Sequence, residues 1–398
     1  MNPIYITGAG VVSAIGVGKA ETLTSLREGL SGISKMKYLQ SVHEELPVGE
    51  VKLSNEEMMQ LLGVAYNPQL SRTVLIGRLA LREALREASL EGDMLKEVPF
   101  ISSTTVGGMD RRELLHAQEP YFDAAFASRV IANHRCGDSS EMTAEPFGDF
   151  ATISTLSTAC SSATNAMITG ANMLQCGLAD IVVVGGSECL SKFHLNGFNA
   201  LMILDQRPCR PFDKDRAGLN LGEGAAYLVM ETAASVKKRG VTPLCELRGY
   251  GNACDAFHQT ASSPDGEGAF LAMQEALKVA GMTPDEIQYI NAHGTGTPNN
   301  DESESQAIRR LFGDKIPAVS STKSFTGHTT SASGSIEAVF CILALQNQFL
   351  PPNLNWQTPM DNGIIPVTDT CPPSEIRNIL SNAFGFGGND SSIIISKK

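Results

Sequence analysis

An internal repeat constrains the fold of this chain more than any other feature of its sequence. Residues 79–88 and 271–280 are both Ala/Leu/Glu-rich helical segments, and six of their ten aligned positions are identical. Each is followed by a polar link, an apolar strand and a glycine-rich turn, which ends at Gly108 in the first copy and at Thr297 in the second. Repeated elements in one order indicate two similar halves, and chance likeness of two such helices is the alternative.

A second pair of equivalent segments carries chemically distinctive side chains. Residues 157–164 place Cys160 before an apolar helix, and residues 325–336 place His328 before a similar one. His293 lies on the strand-end turn of the second copy. A pseudo-twofold axis would bring equivalent helix N-termini together at the centre. We therefore expect Cys160, His293 and His328 to share one pocket.

The other segments alternate between strand and helix. Residues 180–186 are a continuous apolar run, typical of a strand buried on both faces, and residues 225–231 form another strand. Alternation of this kind predicts an α/β fold with helices packed against sheets. We expect one half at residues 1–241, with the cysteine and a capping polar insertion at 109–147, and the other at 242–398, with both histidines.

Three local predictions complete the organisation. The first strand is expected at residues 4–7, before a turn at Gly8-Ala-Gly10. A dinucleotide site is disfavoured there, because the third glycine and the acidic residue are missing. Residues 75–88 predict an amphipathic helix with Arg78 facing outward, and residues 151–156 predict a short buried strand.

The composition excludes several classes of function. The net charge of −12 disfavours nucleic-acid binding, which requires a basic face. The nine cysteines show no paired CxxC spacing, which predicts free thiols, no zinc site and a cytoplasmic location. We expect no signal peptide and no membrane association, because no apolar run reaches membrane-spanning length.

The residue types point to thioester chemistry. Cys160 lies at a predicted strand-to-helix junction, where the helix N-terminus favours the nucleophilic thiolate. Two imidazoles could donate hydrogen bonds to a developing oxyanion, and Lys323 would add a positive charge. The turn at residues 382–388 offers backbone N–H groups for an oxyanion hole. Taken singly, each feature also fits a buried structural cysteine, a loop histidine, a surface lysine or a plain hairpin.

Taken together, the motifs resemble those of β-ketoacyl-acyl-carrier-protein (ACP) synthases of the elongating, KAS I/II group in the thiolase-like superfamily. The resemblance covers nearly the whole chain and includes TACSS at 158–162, RPFDKDR at 210–216, GEGA at 222–225, NAHGTGTP at 291–298, STKSFTGH at 321–328 and NAFGFGG at 382–388. It implies a five-layered αβαβα fold and a homodimer. It also implies decarboxylative Claisen condensation of a cysteine-bound acyl group with malonyl-ACP. The acyl groups would be carried on the phosphopantetheine of ACP, without a further cofactor.

The resemblance also implies residue roles. Cys160 is similar to the nucleophile, His293 and His328 to the pair that supports decarboxylation, and Lys323 to the lysine that orders the site. The N–H groups of Cys160 and Phe386 resemble the oxyanion hole. Gating or substrate-binding roles are implied for Phe386, Thr295, Thr297, Val106 and Phe198. Glu337 resembles the family's buried acid, and no metal is required, although a monovalent cation could bind at Asn291, Glu337, Ser381 and Asn382.

Some departures from the family pattern bear on pathway and partner. Asn389-Asp390 replaces the usual Thr-Asn pair, and Met202 replaces an arginine that often contacts the carrier protein. These differences leave fatty-acid elongation and a specialised aryl-polyene, pigment or polyketide pathway both open. Carrier docking is expected at a local basic patch, drawn from Arg72, Arg111, Arg112, Arg129, Arg135, Lys214 and Arg216.

Three other functions are weighed against the condensing enzyme. A non-catalytic, chain-length-determining subunit of a heterodimeric ketosynthase typically lacks the nucleophile, which is present here. A thiolase would need a second late cysteine, and Cys371 lies outside a Cys-x-Gly turn. An initiating synthase of the Cys-His-Asn kind is disfavoured by the second histidine.

Overall fold

The computed structural model describes residues 2–117, 124–131 and 135–398. Its strands belong to one mixed sheet of eleven described strands. They are β1 (Ile4–Ser13), β2 (Gly16–Val17), β3 (Pro99–Ser103), β4 (Thr152–Leu156), β5 (Ile181–Glu188), β6 (Gly224–Thr232), β7 (Cys245–Cys254), β8 (Tyr289–Asn291), β9 (Ala318–Ser320), β10 (Asn378–Gly385) and β11 (Asn389–Ser396).

The sheet consists of two halves with the same strand order and directions. The first half runs β4-β3-β5-β6-β1 and the second runs β9-β8-β10-β11-β7. In both, the outer three strands are parallel and the inner two pairings are antiparallel. The halves join where β1 pairs with β7, at Tyr5 opposite Glu246 and Ile6 opposite Cys245. The repeat predicted from two helices therefore extends over both halves of the fold.

The helices form three layers around the two half-sheets. The described helices are α1 (Lys19–Glu28), α2 (Asn55–Leu62), α3 (Arg72–Glu87), α4 (Met109–Ala117), α5 (Ala124–Ile131), α6 (Cys136–Ala144), α7 (Ser162–Gln175), α8 (Lys192–Ala200), α9 (Ala233–Arg239), α10 (Glu267–Ala280), α11 (Pro298–Phe312), α12 (Lys323–Thr326) and α13 (Ser333–Asn347). Helices α7 and α13 lie in the central core between the half-sheets. Helix α3 covers the outer face of the first half, and α10 and α11 cover that of the second.

Side-chain alternation along the strands shows the layering directly. Val182 and Val184 face the central core, whereas Val183 faces α3. In the second half, Ile393 and Ile395 face the central core and Ile394 faces α10. Successive side chains of a strand point to opposite faces, so both half-sheets are covered on both sides. The five-layered αβαβα fold expected from the sequence is confirmed.

The Gly8-Ala-Gly10 segment is part of β1, so the predicted turn is wrong. A Cβ atom at Gly10 would lie 2.1 Å from the carbonyl oxygen of Ala80 on α3. The equivalent position, Gly251 on β7, would bring a Cβ within 2.3 Å of the carbonyl oxygen of Ala272 on α10. The alanines of the repeated helices and the glycines of the strands thus form one close helix–strand contact, which occurs twice.

Three other local predictions need correction. Residues 109–117, 124–131 and 136–144 are helical, although their polarity suggested an irregular insertion. Arg78 is buried rather than outward, because its guanidinium donates to the carbonyl of Met142 and pairs with Glu145. Strand β4 is not buried in the single chain, since it is the edge of the sheet and its residues 152–154 are exposed.

The boundary predicted between residues 241 and 242 falls in the connection between α9 and β7. Because the β1–β7 pairing joins the two half-sheets into one sheet, the division into two domains stays a prediction. Among the helices of the described ranges, none is both long and apolar enough to cross a membrane.

Candidate active site

Cys160 lies at the junction predicted for it, between the end of β4 and the start of α7. Ser162, the first residue of α7, accepts the Thr158 N–H at 2.8 Å through its hydroxyl. Ala159 has a φ of 54°, a left-handed conformation that turns the chain sharply before the cysteine. The thiol is 5% exposed. This sharp turn directs the cysteine into a cavity at the centre of the molecule.

His328 contacts the thiol directly. Its Nε2 atom lies 3.0 Å from the Cys160 Sγ atom, and its Nδ1 atom lies 3.0 Å from the Ser333 hydroxyl. Burial, together with the charge of Lys323, holds the pKa of His328 well below its usual value. The imidazole is therefore neutral, and its Nε2 lone pair can accept the thiol proton. Sequence reasoning missed Ser333, although the Ser/Thr-rich start of α13 marks its position.

Burial also dominates the ionisation of the nucleophile. It raises the pKa of the Cys160 thiol to about 11, against the opposing effects of the Lys323 charge and the Phe386 N–H group. The sequence suggested a thiolate stabilised by the helix N-terminus, and the buried position outweighs that effect. At rest the nucleophile is a protonated thiol with a neutral base beside it.

His293 stands next to the same pair. Its ring centre lies 5.3 Å from that of His328, with the two rings nearly perpendicular. Burial, with the charge of Lys323, holds the pKa of His293 well below its usual value, so this imidazole is also neutral. Glu304, which the sequence analysis missed, holds the loop by accepting the N–H groups of His293 and Gly294 at 2.9 and 2.8 Å. The His293 Nδ1 atom is buried and has no hydrogen-bond partner among the described residues.

Lys323 forms a buried ion pair with Glu337 behind the histidines. The Lys323 Nζ atom lies 2.6 Å from the Glu337 Oε1 atom, and both side chains are almost inaccessible. Burial raises the pKa of Glu337, and the Lys323 charge opposes that rise. The ammonium group disfavours a second positive charge nearby, which keeps both imidazoles neutral.

A cavity of about 310 Å³ opens above the thiol. Seven predicted site residues line it: Cys160, Phe198, His293, Thr295, Thr297, His328 and Phe386. The rings of Phe198 and Phe386 stack with centres 5.8 Å apart, and the Thr295 and Thr297 hydroxyls are 2.8 Å from each other. Val106, which was also predicted, does not line this cavity. It is buried, and its N–H donates to Glu188 at 3.2 Å. The cavity is therefore lined by one thiol, two neutral imidazoles and two stacked phenylalanine rings.

The loop at residues 260–262 also lines the cavity and was not recognised in the sequence. The Asn299 side chain forms two hydrogen bonds with Ser262 of this loop. It accepts the Ser262 N–H at 2.8 Å and donates to the Ser262 carbonyl at 3.1 Å. Asn299 and Asn300 line the cavity as well, so part of its wall is polar.

The residues proposed for a monovalent cation do not all face one point. Asn291 and Ser381 are opposite each other in the β8–β10 pairing, and the Asn291 Oδ1 and Glu337 Oε2 atoms are buried without partners. The Asn382 side chain faces the other side of β10, where it donates to Glu304 at 3.0 Å. Unpaired oxygens suit a hard cation, so Asn291 and Glu337 fit such a site, and its occupancy stays a prediction.

Two of the arginines suggested for carrier docking are buried. Arg72 donates to Glu223 and to the carbonyl of Val51, and Arg216 donates to Glu302 and to the carbonyl of Asp213. Both are less than 10% exposed, so they cannot attract a partner at the surface. The side chain of Arg129 lies outside the described part of the structure. Arg111 is also largely buried, because it donates to the carbonyl of Leu70 and pairs with Asp110. Arg112, Arg135 and Lys214 remain for that role.

A pair of carboxyl groups lies beside the turn that carries Phe386. A Cβ at Gly268, in the first turn of α10, would be 2.2 Å from an Asp390 oxygen and 2.7 Å from the Asp255 Cβ, so the two acids meet there. No ion pair among the described residues includes either one. Burial, with the charges of Asp255 and Glu304, raises the pKa of Asp390 to about 8. Asp390 is thus protonated at neutral pH in the folded chain.

We expect Asp390→Asn to stabilise the protein at alkaline pH. The unfolded chain loses the Asp390 proton near pH 4 and the folded chain near pH 8, so parent stability falls as the pH rises between these values. The neutral amide removes this loss, with an expected gain on the order of 5 kcal/mol at pH 8 and little gain at pH 4. Urea unfolding at both pH values measures it, with exposed Asp361→Asn as the matched control. A gain independent of pH would contradict the assignment.

Comparison with known proteins identifies the family. The family model described as the beta-ketoacyl synthase N-terminal domain matches residues 1–235, and the corresponding C-terminal domain matches residues 244–357. A curated relative, 3-oxoacyl-[acyl-carrier-protein] synthase 2 of Staphylococcus aureus strain N315, is 33% identical over 99% of this chain and 98% of its own length. The chain belongs to the β-ketoacyl synthase family.

Solved structures agree with this membership. The ishigamide ketosynthase/chain length factor matches this β-ketoacyl synthase with a TM-score of 0.90 and 30% identity, covering 100% of this chain and 99% of the other. A ketosynthase structure with a type II polyketide acyl-carrier protein and a bound hexaketide matches with a TM-score of 0.87 and 26% identity over both full chains. The predicted reaction class, a condensing acyltransferase of fatty-acid or polyketide synthesis, is confirmed.

Proposed function

We propose that this β-ketoacyl synthase carries an acyl group on Cys160 and condenses it with malonyl-ACP, releasing CO₂ and giving 3-oxoacyl-ACP. The observation that carries the proposal is the 3.0 Å contact between the Cys160 Sγ and His328 Nε2 atoms, inside a cavity that His293 also lines. A protonated thiol beside a neutral imidazole is suited to attack a thioester.

Acyl loading depends on the contact between the Cys160 thiol and His328. The Cys160 sulfur attacks the acyl-ACP carbonyl carbon while its proton moves to the His328 Nε2 atom. The Phe386 N–H acts on the Cys160 thiol by lowering its pKa and, with the Cys160 N–H, would donate to the oxyanion of the tetrahedral intermediate. When this intermediate collapses, the phosphopantetheine thiolate leaves and takes the proton back from His328.

Condensation uses both imidazoles as donors. The malonyl thioester oxygen would accept hydrogen bonds from His293 and His328 as the carboxylate leaves as CO₂ and the enolate forms. The enolate carbon then attacks the acyl-Cys160 carbonyl, and the cysteine sulfur is released as the leaving group. The Ser333 hydroxyl can accept from or donate to the His328 Nδ1 atom, so it supports either tautomer. His328 can therefore present a lone pair during loading and an N–H during condensation.

The cavity mouth supports a carrier-bound substrate. A phosphopantetheine arm delivers its thioester through a narrow opening, and the Thr295–Thr297 hydroxyl pair offers polar contacts on the way to the thiol. The relatives named above include a synthase of acyl-carrier-protein substrates and a ketosynthase in complex with its acyl-carrier protein. We infer that an ACP is the partner of this chain.

We also infer that the chain forms a homodimer through the edge of its first half-sheet. Residues 152–154 of β4 are exposed along an unpaired strand edge, and such edges are normally covered. Exposed Phe193 on α8 and Leu114 on the adjacent α4 add apolar surface in the same half. A second copy pairing β4 with β4 would cover the strand edge. Native mass spectrometry distinguishes this homodimer from a heterodimer with a chain-length subunit.

The test of the function is acyl loading. Incubation of the purified protein with a panel of saturated, unsaturated and aryl-substituted acyl-ACPs should add one acyl mass per chain, on the peptide that contains Cys160. The preferred member of the panel decides between fatty-acid elongation and a specialised pathway. If no acyl-ACP loads, or if the acyl group resides on another cysteine, the proposed function is wrong.

A further inference from the structure

Asn389, the first residue of β11, joins the turn that carries Phe386 to the helix that carries the nucleophile. Its Oδ1 atom accepts three hydrogen bonds: from the Ser161 hydroxyl at 2.8 Å, from the Asn165 amide at 2.7 Å and from the Asn252 amide at 2.9 Å. Ser161 follows Cys160 directly, and Asn165 lies one turn further along α7. One amide oxygen thus connects α7 of the first half with β7 and β11 of the second.

The connected parts are those that must be in register for acyl transfer. Asn389 is opposite Gly385 in the β10–β11 pairing, so the turn between them contains only Phe386, Gly387 and Gly388. Phe386 and Cys160 line the same cavity, and the Phe386 N–H group lowers the pKa of the Cys160 thiol. A Cβ at Gly385 would lie 2.9 Å from the carbonyl oxygen of Thr158, so the turn also packs closely against the nucleophile loop. A small displacement of the turn would move the oxyanion donor relative to the reacting carbon.

The hydrogen bonds around Asn389 form a closed network. The Asn165 amide also donates to the Thr158 hydroxyl at 2.8 Å, and its Oδ1 atom accepts from the Ser391 hydroxyl at 2.8 Å. Asn252 donates to Ser391 at 2.9 Å. Without the Asn389 oxygen, the buried Ser161 hydroxyl, the half-buried Asn165 amide and the exposed Asn252 amide each lose a partner.

We propose that Asn389 is a positioning residue that fixes the Phe386 N–H against Cys160 and thereby sets the rate of acyl transfer. The proposal rests on the function proposed above. Asn389 does not touch the reacting atoms. It acts through the two segments that it connects, the nucleophile helix α7 and the turn that carries Phe386. Malonyl decarboxylation depends on His293 and His328, which none of these hydrogen bonds includes. Loss of the Asn389 oxygen should therefore separate the two half-reactions.

The test compares Asn389→Leu, which keeps the shape and loses the oxygen, with Asn389→Asp, which keeps an acceptor at Oδ1. Acyl loading from acyl-ACP and decarboxylation of malonyl-ACP are measured separately, each as kcat and KM. We expect Asn389→Leu to lower the loading kcat about 30-fold with KM unchanged, and to leave decarboxylation within about threefold of the parent. Asn389→Asp should recover most of the loading rate. Asn378→Leu, the same substitution at the far end of β10, is the matched control.

The outcomes separate this inference from the proposed function. If the parent loads Cys160 and Asn389→Leu loads it equally fast, the positioning role is wrong and the proposed function stands. Equal losses in loading and decarboxylation, with no recovery in Asn389→Asp, would show a merely structural residue and overturn the inference. Should Asn389→Leu fail to fold, Ser161→Ala tests the α7 side of the network alone and should slow loading with decarboxylation retained. A parent that takes no acyl group overturns both proposals.

Discussion

Cys160→Ala should abolish both acyl loading and condensation, with a fall in kcat of about 10⁴-fold or more. Removal of the nucleophile from a covalent mechanism costs this much because no other group can hold the intermediate. The remaining cavity still contains His293 and His328, so some malonyl decarboxylation should persist. Mass spectrometry of the loaded protein and a condensation assay with malonyl-ACP measure the two losses.

The matched control is Cys245→Ala. Cys245 is also a fully buried free thiol, but it lies in the central core, on β7, away from the cavity. Both substitutions remove one sulfur atom from a buried site and should change stability similarly. Loss of condensation in Cys160→Ala alone, with comparable melting temperatures, supports the nucleophile assignment. Retained loading in Cys160→Ala would contradict it.

The resting thiol changes what chemical labelling should show. Because burial raises the pKa of Cys160 to about 11, its alkylation by iodoacetamide should still be accelerating above pH 9. The exposed cysteines Cys176, Cys254 and Cys371 have free access to the reagent and should react first near neutral pH. Selectivity for Cys160 is therefore expected from acyl thioesters, which its neighbouring base and oxyanion donors fit, rather than from small electrophiles.

The sequence was informative about the site because the candidate catalytic residues lie at turns between helices and strands that local sequence patterns predict. Cys160 precedes α7, His328 precedes α13 and His293 follows β8, and the repeat predicted that all three share one pocket. The helices of the repeat were found from their Ala/Leu/Glu pattern. These features are local in sequence, and the fold only has to bring equivalent helix ends to one point.

Other features depend on contacts between residues far apart in the chain. Gly8 and Gly10 suggested a turn, yet they are strand residues whose lack of Cβ lets α3 approach. Arg72 suggested a surface charge, yet Glu223, 151 residues away, pairs with it in the interior. The Asn389 network likewise joins residues separated by more than 130 positions. No local pattern contains such partners, so only the structure reveals them.

The exposed β4 edge shows a different limit. Its residues have the composition of a buried strand, and the single chain leaves it open. If a second copy covers this strand, its apolar residues are buried in the assembly, although they are exposed in the single chain. The homodimer proposed above accounts for both observations, since composition reflects the assembled state.

The two histidines should differ in which half-reaction they support. Both come from the second half, and the resemblance implied that both support decarboxylation. The structure places only His328 in contact with the thiol, at 3.0 Å, whereas His293 contacts Phe384 and the His328 ring. We therefore expect His293→Ala to lose decarboxylation while it still loads, and His328→Ala to lose both.

The expected magnitudes follow from the groups removed. In the proposed mechanism each imidazole donates to the developing enolate oxygen, so each alanine variant should decarboxylate malonyl-ACP about 10²–10³-fold more slowly, or about 2.7–4 kcal/mol. His328 is also the base for a thiol that is protonated at rest, and its loss should slow loading by about 10²-fold at pH 7. Loading by His328→Ala should recover as the pH approaches 11, because hydroxide then forms the thiolate directly. Equal loading rates for both variants at pH 7 would show that the contact with Cys160 carries no proton.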